Sequence, residues 1–178
     1  MAYADPQSTS NPTTGQPILA AWGDVVRDDL EYLARNKPHC RVYKSTATSI
    51  ATATATALTF NSERYDVGGC HSTSSNTGRL TVPSGEAGKY LAGFHGSWDV
   101  NGTGYRQAYI RLNGTTIIGV DTKMAVTGAG TEHSVVTEYA LVAGDYLEVV
   151  VTQTSGGALN MESASAYSPE FWFRWVAI

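Results

Sequence analysis

The amino-acid sequence predicts a mainly β protein, a β-sandwich or jelly roll that carries one amphipathic helix and an extended arm at its N-terminal side. Residues 15–39 are the only stretch whose apolar residues follow a helical period. From residue 41 onwards the chain consists of short alternating or β-branched runs separated by Gly, Asn and Ser. These runs follow one another at the spacing that is typical of sandwiches and barrels.

Length and charge limit the classes of protein to which the chain can belong. With 178 residues it is long enough for one main domain with an appendage. Only 16% of the residues are charged and the formal net charge is -4, so we expect neither a nucleic-acid partner nor a membrane partner. No apolar run is long enough to span a bilayer, and the N-terminus lacks the basic and apolar regions of a signal peptide. We therefore expect a protein that is made in the cytoplasm and is not processed.

The N-terminal side divides into an arm and a helix. Residues 1–16 are mostly polar and show no period, which predicts an extended arm that becomes ordered only against a partner. Residues 17–37 are predicted to form an amphipathic helix, because Pro17 suits its first turn and Pro38 follows its last periodic residue. Its apolar stripe consists of Ile18, Trp22, Val25, Val26, Leu30 and Leu33.

The apolar stripe of this helix needs a surface to cover it, because a lone helix of this length is marginal in water. Two alternatives remain open. The stripe packs across one end of the chain's own β domain, or it packs against copies of itself or a larger assembly. We favour the second, because a polar arm ahead of an exposed stripe is typical of a docking tether. The six stripe residues are therefore assigned to attachment and assembly.

The predicted strands occupy the head domain, residues 41–178. Asn113 and Gly114 form the strongest hairpin signal in the chain. The alternating Ala and Thr of residues 51–57 have the period of a strand, but neither face is apolar enough to bury much. We expect a weakly held edge strand or a surface loop there. The nine predicted strands are RVYKS, IATATATALTF, GRLTV, KYLAGFHGSWDV, YRQAYIRLNG, TTIIGVD, HSVVTEYAL, DYLEVVVTQ and EFWFRWVAI.

The two cysteines are expected to be reduced and structural. Cys40 and Cys70 can pair only if the fold brings their Cα atoms within about 7 Å of each other. Two cysteines do not make a structural zinc site without histidines, and none of the four histidines forms a tight spacing motif with them. The sequence therefore predicts no metal site and no cofactor.

No catalytic constellation is visible in the sequence. Catalysis requires convergent groups, such as a nucleophile beside a base or paired carboxylates in a cleft. The acidic residues that are close in sequence to a histidine all lie in predicted loops or at strand ends. The Gly-rich stretches lack the following helix and the lysine of a phosphate-binding loop. We therefore expect no catalytic residues and no enzymatic activity.

Two long segments of the β region resemble a known family. In ALTFNSERYDVGGCHSTSSNTGRLTVPSGEAGKYLAGFHGSW, an apolar strand leads to a Tyr-Asp loop, a Thr-Gly step, a strand that ends in Pro, and Gly-x-Tyr. The segment YALVAGDYLEVVVTQ adds a Leu-x-x-Gly-Asp step. This order is similar to that of the complement-type globular heads and the tumour necrosis factor superfamily, and the match spans about residues 41–178. The resemblance implies a jelly roll of about ten strands that assembles as a homotrimer, with aromatic residues near its axis.

The aromatic residues of the head exceed what one small sandwich usually buries, which agrees with an interface between subunits. The last strand departs from the Phe-x-Gly pattern of the family, because it carries Phe171, Trp172 and Phe173. The alternative is that successive residues of 171–175 simply face the core and the solvent in turn. The trimer interface is assigned to Tyr90, Tyr109, Phe171, Phe173 and Trp175.

The N-terminal side is similar to the opening of many bacteriophage and prophage structural proteins, in which an arm precedes a helix and a β domain follows. Trp22, Leu30, Leu33 and the Arg-Asp-Asp of residues 27–29 carry this resemblance. It implies a virion protein that is made in the host cytoplasm and lies on the virion surface. The arm and helix would bind capsid or tail proteins, and the trimeric head would decorate the capsid or form part of a head or tail fibre.

An adhesin is the alternative function. Long polar loops, such as residues 61–78 and 122–133, could bind a host glycan or a host protein. Aromatic residues near loop tips would supply stacking surfaces for sugars. The candidates for receptor contact are Tyr65, Trp98 and Tyr105.

Overall fold

The structure, a computed structural model, describes residues 20–178, and the side chains of residues 20–22 and of Ser165 are not part of that description. The chain divides into two compact units, Met1–Lys37 and Pro38–Ile178. No helix in the described part of the chain is long and apolar enough to cross a membrane.

The described part of the first unit is helical. Helix α1 spans Ala20–Glu31, and one π-helical turn, Tyr32–Asn36, continues it. The predicted arm, residues 1–16, lies outside the described residues. On the polar side of α1 the Arg27 guanidinium lies 2.8 Å from the Asp24 carboxylate, a pairing of the kind that supports an exposed helix by only a few tenths of a kcal/mol.

The second unit contains twelve strands. It begins at Pro38, and its first strand begins at His39, two residues before the start that the sequence suggested. The strands are β1 His39–Tyr43, β2 Thr48–Ile50, β3 Thr56–Ala57, β4 Ser62–Val67, β5 Arg79–Thr81, β6 Gly88–Trp98, β7 Tyr105–Leu112, β8 Thr116–Met124, β9 Thr131–Leu141, β10 Tyr146–Gln153, β11 Leu159–Met161 and β12 Glu170–Ala177.

Two antiparallel sheets form the unit. The first sheet, which we call the front sheet, runs in the order β2-β11-β6-β12-β1-β4, and β9 pairs along the full length of β6 on the other edge of that strand. The back sheet runs in the order β3-β10-β7-β8, with β5 also paired to β10. The mainly β, jelly-roll fold class predicted from the sequence is confirmed.

The core lies between the two sheets and is built by the alternation of side chains along each strand. Phe171 and Phe173 of β12 face inward, and Phe171 lies beside Phe60, with 5.8 Å between the ring centroids. The ring of Tyr90 meets that of Phe173 edge-on at 5.0 Å, a favourable geometry for two aromatic rings. The largest fully buried side chains are Trp98, Arg106, Tyr90, Phe60, Phe94, Phe171, Phe173, Ile50, Leu80, Ile110, Leu141 and Leu147.

The Asn-Gly turn lies where the sequence predicts it, between β7 and β8. Asn113 and Gly114 both have positive φ, 49° and 72°, which is the backbone geometry that favours this residue pair in a tight hairpin. The Asn113 side chain also donates to the Asp145 carboxylate at 2.7 Å and accepts from the Tyr146 amide at 3.0 Å. The turn is therefore tied to the start of the neighbouring strand β10.

Two of the short strands, β4 and β11, were not predicted. β4 reads Ser-Glu-Arg-Tyr-Asp-Val, and its polar composition hides a strand that pairs with β1 at the edge of the sheet. β11 has only three residues, too few for a period to show. The Ala/Thr tract is mostly a surface loop and contributes only the two-residue strand β3, so the expectation of a weakly held edge segment agrees with the structure.

Candidate assembly surface

The outer face of the front sheet carries a row of five residues, one on each of five strands. Its members are opposite one another in the strand register and all lie on the solvent side: Tyr65 on β4, Arg41 on β1, Trp172 on β12, Gly93 on β6 and Val136 on β9. Val136 is 58% exposed, whereas Trp172 is partly covered. We call this row the front face.

Trp172 lies across the strand next to its own. A Cβ atom added to Gly93 would lie 2.4 Å from Cζ2 of the indole, so only glycine lets the ring lie over β6 at this point. The indole thereby extends toward Val136 on the far side of β6. The front face thus presents one flat aromatic ring next to an exposed aliphatic side chain.

A charged group occupies the adjacent row of the same face. The Glu170 carboxylate, only 6% exposed, is bound by the guanidinium of Arg41 and by that of Arg64, whose Nη2 lies 2.9 Å from Oε1. Arg64 also stacks on the ring of Tyr43, with 4.2 Å between its Cζ atom and the ring centroid. His95 lies opposite Glu170 on β6. We call these residues the Glu170 group.

Electrostatics in this group favour a charged Glu170 and a neutral His95. Burial alone would raise the pKa of Glu170, but hydrogen bonds and charge from Arg64 and Arg41 lower it below its usual range. Burial lowers the pKa of His95. The charge of Glu170 raises this pKa, whereas the charges of Arg41 and Arg64 lower it. The Glu170 group therefore carries two guanidinium charges against one carboxylate at neutral pH. Its carboxylate is engaged by two cations, which suits an interface better than acid–base chemistry.

The assignment of Tyr90, Phe171 and Phe173 to the trimer interface is wrong. All three are fully buried within this single chain, so they have no surface to offer a neighbouring subunit. Trp175 is partly buried and packs against the same core. Trp172, which lies between the two buried phenylalanines, faces outward, so successive residues of 171–173 face core and solvent in turn.

Tyr109, the fifth residue assigned to the interface, lies on the back sheet. It is half-buried on β7 and stands opposite Val120 of β8, which is exposed. Tyr105, an expected receptor contact, is half-buried on the same strand and stands opposite the exposed Met124. These two tyrosines therefore lie on the back sheet, whereas the front face lies on the other sheet.

The other two expected receptor contacts, Tyr65 and Trp98, differ in their exposure. Tyr65 is 47% exposed and lies in the front face, where its ring is 5.4 Å from that of His39. Trp98 is fully buried, so its assignment as a receptor contact is wrong. It ends the long strand β6 inside the core, with the Arg106 guanidinium 5.9 Å from its ring centroid.

The attachment residues lie on α1 and the turn after it. Leu30 and Leu33 are strongly exposed, and Val25 and Val26 are partly covered. Ile18 lies outside the described residues, and so does the side chain of Trp22. Leu30 and Leu33 are thus the described stripe residues with the most surface available to a partner.

A cluster that the sequence did not reveal joins the two cysteines to an acid. Cys40, Asp66 and Cys70 each place one ligand atom within 4.8 Å of the others. Both thiols are buried and unpaired by a disulfide. A hydrogen bond from Cys70, burial, and the charges of Cys70 and Asp66 raise the pKa of the Cys40 thiol. Sequence inspection missed the cluster because the third member is an aspartate on an unpredicted strand, not a histidine.

A second buried polar cluster closes the edge between the two sheets. The side chain of His133 on β9 is fully buried, and its Nδ1 lies 2.9 Å from the Asp121 carboxylate of β8. Arg106, also fully buried, donates from its guanidinium to the backbone oxygens of Thr103, Tyr105 and Asn101. These contacts hold the loop between β6 and β7, which explains why a charged residue is tolerated inside the core.

Comparison with known proteins identifies the fold. No family model matches the chain, and no curated protein sequence matches it. Among solved structures, the globular domain of zebrafish complement 1qA protein is similar, with a TM-score of 0.56 and 17% identity over 79% of this chain and 98% of that one. Two crystal structures of murine APRIL, at pH 8.0 and pH 5.0, give TM-scores of 0.58 and 0.59 at 11% and 12% identity. They cover 77% and 78% of this chain and 98% of theirs. The complement- and tumour-necrosis-factor-like jelly roll implied by the sequence resemblance is therefore confirmed as the fold.

Proposed function

We propose that this chain is a non-catalytic, homotrimeric display head of a bacteriophage virion, anchored by its N-terminal arm and helix. The jelly-roll fold that it shares with the complement 1qA globular domain and APRIL supports a head that assembles and binds. The observation that carries the trimer is the front face, where Trp172 lies flat over Gly93 beside the exposed Val136.

The composition of the front face suits an interface between subunits. Aromatic residues and arginine are enriched in protein interfaces, and their energetic centres are aromatic or arginine side chains in well-packed surroundings. Here Trp172 and Tyr65 lie in one row, and Arg41 connects that row to the Glu170 group. Covering this surface with a second copy of the chain would remove both the indole and Val136 from water.

The trimer is tested by placing a charge on the front face. Val136→Glu puts a carboxylate where a neighbouring subunit would cover it, and an unpaired buried charge is strongly unfavourable. Val100→Glu is a matched control, because Val100 is 59% exposed but lies in the loop after β6. Light scattering of the full chain should give the mass of three copies for the native protein and the control, and of one copy for Val136→Glu.

Two outcomes would contradict the front-face trimer. Three copies of a well-folded Val136→Glu would show that this face is free in the assembly. One copy for the native chain at micromolar concentration would show that the head does not trimerise. Circular dichroism of each variant establishes that the fold is retained.

The anchoring role rests on the exposed stripe of α1. Leu30 and Leu33 are 61% and 48% exposed, so a partner surface would bury apolar area on both. We compare the full chain with a truncated chain that begins at Lys37, before the first residue of the β unit. Both should be trimers, but only the full chain should load onto virions stripped of this protein. Equal loading of the two would overturn the anchor, and a monomeric truncated chain would make the helix the element of assembly.

This function places the protein on the virion surface after synthesis in the host cytoplasm, with capsid or tail proteins as its partners. The sequence similarity of its arm and helix to bacteriophage structural proteins supports this placement. Immunogold labelling of intact particles with an antibody to the head tests it. Labelling only after particle disruption would contradict surface display.

Host-receptor binding is the second candidate function, favoured by one observation. The ring of Tyr65 is 47% exposed on the front sheet and lies next to another ring, His39. Exposed aromatic faces suit stacking on sugars. Binding of the native head to glycan arrays, lost in Tyr65→Ala and kept in the back-sheet variant Tyr109→Ala, would support the adhesin. Equal binding by both variants would exclude Tyr65 as its contact.

A further inference from the structure

Three segments bring ligand atoms together at the start of the β unit. Cys40 is on β1, Asp66 stands opposite it on the edge strand β4, and Cys70 follows in the loop that leaves β4. The two sulfur atoms and a carboxylate oxygen all lie within 4.8 Å of one another. Cys40 is fully buried and Cys70 almost so, whereas Asp66 is partly exposed.

Asp66 is held in place by the loop. One carboxylate oxygen accepts the Cys70 amide at 2.9 Å and the other accepts the His71 amide at 3.1 Å. Each carboxylate oxygen has more than one lone pair, so both oxygens keep a free acceptor position after these bonds. The Cys70 thiol makes a long contact of 3.6 Å with the Val67 carbonyl. The loop therefore orients the acid and the second thiol without using up their capacity to bind a ligand.

The donor set is that of a thiophilic divalent cation. Two thiolate sulfurs together with a carboxylate oxygen suit Zn²⁺, whereas Ca²⁺ and Mg²⁺ take oxygen ligands only. We propose that Cys40, Asp66 and Cys70 form a binding site for Zn²⁺ or a metal ion of the same class. Such an ion would clamp the first strand of the head to its edge strand and to the loop between β4 and β5.

The fourth coordination position is not filled by a neighbouring histidine. His71 is adjacent in sequence, but its Nδ1 lies 2.8 Å from a Glu63 carboxylate oxygen and its Nε2 lies 3.1 Å from the Thr77 carbonyl. Among the described residues, no further His, Cys, Asp or Glu belongs to the cluster. The fourth ligand would therefore be water or a donor from outside, as in zinc sites that keep an open position.

Binding exchanges protons for the metal ion. Two S–H bonds break, two metal–sulfur bonds and one metal–oxygen bond to Asp66 form, and the hydrated ion loses the water molecules that these ligands replace. Two protons leave to solvent, and no electrons are transferred. The complex of a divalent ion with two thiolates and one carboxylate carries one net negative charge. Affinity should therefore rise with pH, because a higher pH favours the release of these protons.

The test uses the full chain, purified under reducing conditions, freed of metal and titrated with Co²⁺ or Zn²⁺. Co²⁺ reports its ligands in the absorption spectrum, through thiolate charge-transfer bands in the near ultraviolet and the visible bands of tetrahedral coordination. We expect saturation at one Co²⁺ per chain, displacement by one Zn²⁺, and protection of both thiols from alkylation in the Zn²⁺-bound protein.

Variants separate the three ligands. Cys40→Ser and Cys70→Ser should each abolish the charge-transfer bands or reduce them by about half, and Asp66→Asn should weaken Co²⁺ binding by at least about tenfold. Glu63→Gln is the matched control, because this acid is close by, bound to His71 and outside the cluster. It should bind Co²⁺ like the native chain.

Several results would overturn the site. The first is a disulfide between the two cysteines. It would appear as a mass lower by two hydrogen atoms after purification without reductant, together with no metal binding once the protein is reduced. Another is an alkylation rate that Zn²⁺ does not change in the native chain, a measurement that does not depend on any variant folding. Equal Co²⁺ affinity of Asp66→Asn and Glu63→Gln would remove Asp66 from the site.

Discussion

Replacement of His133 by asparagine should flatten the dependence of stability on pH. The His133 side chain is fully buried on β9, and its Nδ1 contacts the Asp121 carboxylate at 2.9 Å. Burial lowers the pKa of His133 despite the opposing effect of Asp121, and the charges of Lys123 and Arg106 lower it further. The asparagine side chain would keep an N–H near Asp121 but would not titrate.

The sign of the effect follows from linkage. Below the unfolded pKa of histidine, about 6.5, the unfolded chain binds a proton that the folded chain does not, so the free energy of unfolding falls as the pH falls. One histidine that stays neutral in the folded state contributes a loss of at most about 1.4 kcal/mol between pH 7.5 and 5.5. His95, whose pKa is also lowered, contributes with the same sign.

The assay is urea unfolding of the full chain at fixed protein concentration, at half-unit steps from pH 5.5 to 7.5. The native protein should lose more stability over this range than His133→Asn, with a difference of about 1 kcal/mol. The absolute stability of the variant is free to differ, because only the change with pH is compared. Parallel curves for the two proteins would refute the reasoning, since they would show that His133 binds its proton equally in both states.

Four further substitutions probe the Glu170 group and three turns. Glu170→Gln should cost about 1–3 kcal/mol at pH 7 and should also reduce the loss of stability below pH 4.5, because the lowered folded pKa of Glu170 makes the native protein lose this contribution on acidification. Gly104→Ala should destabilise the protein by several kcal/mol, because the φ of Gly104 is +73° and a Cβ would lie 2.1 Å from the Thr154 carbonyl oxygen. Gly156→Ala should cost only about 1 kcal/mol, because Gly156 has φ +89° but no atom lies within 4 Å of an added Cβ. Asn113→Ala should cost about 1–2 kcal/mol, through loss of the positive-φ preference and of two hydrogen bonds. Chemical unfolding at pH 7 measures each, and equal costs for the two glycines would contradict the steric argument.

The sequence predicts the strands that alternate strongly and the turns that demand particular residues. β7 alternates between buried and half-buried residues over most of its length and β9 alternates over its first half, and Asn113-Gly114 has a backbone requirement that few other pairs meet. The short strands β4 and β11 lack such signals. Their pairing depends on what the rest of the sheet offers, which no local pattern records.

The sequence predicts that the last strand contributes to the candidate surface, but it does not predict which face of that strand points outward. Residues 171–175 are aromatic at four of five positions, so hydrophobicity alone does not say which phase of the alternation faces inward. The register decides it: Phe171 and Phe173 meet Phe94 and Ala92 in the core row, and Trp172 meets Gly93. The pairing of a glycine, Gly93, with an aromatic residue, Trp172, on the neighbouring strand would have indicated the outward face. This signal can be used only when the strand pairing is known.

The Glu170 group also bears on the symmetry of the proposed assembly. It lies in the row adjacent to Trp172 and Val136, so a contact that covers the apolar pair must approach two guanidinium charges balanced by one carboxylate. A twofold axis through this patch would bring the group against its own copy, and like charges would repel. A closed ring of heterologous contacts instead places a different surface of the neighbour opposite the group. The net positive charge of the Glu170 group thus favours a ring, such as a trimer, over a dimer built on a twofold axis through the same apolar pair.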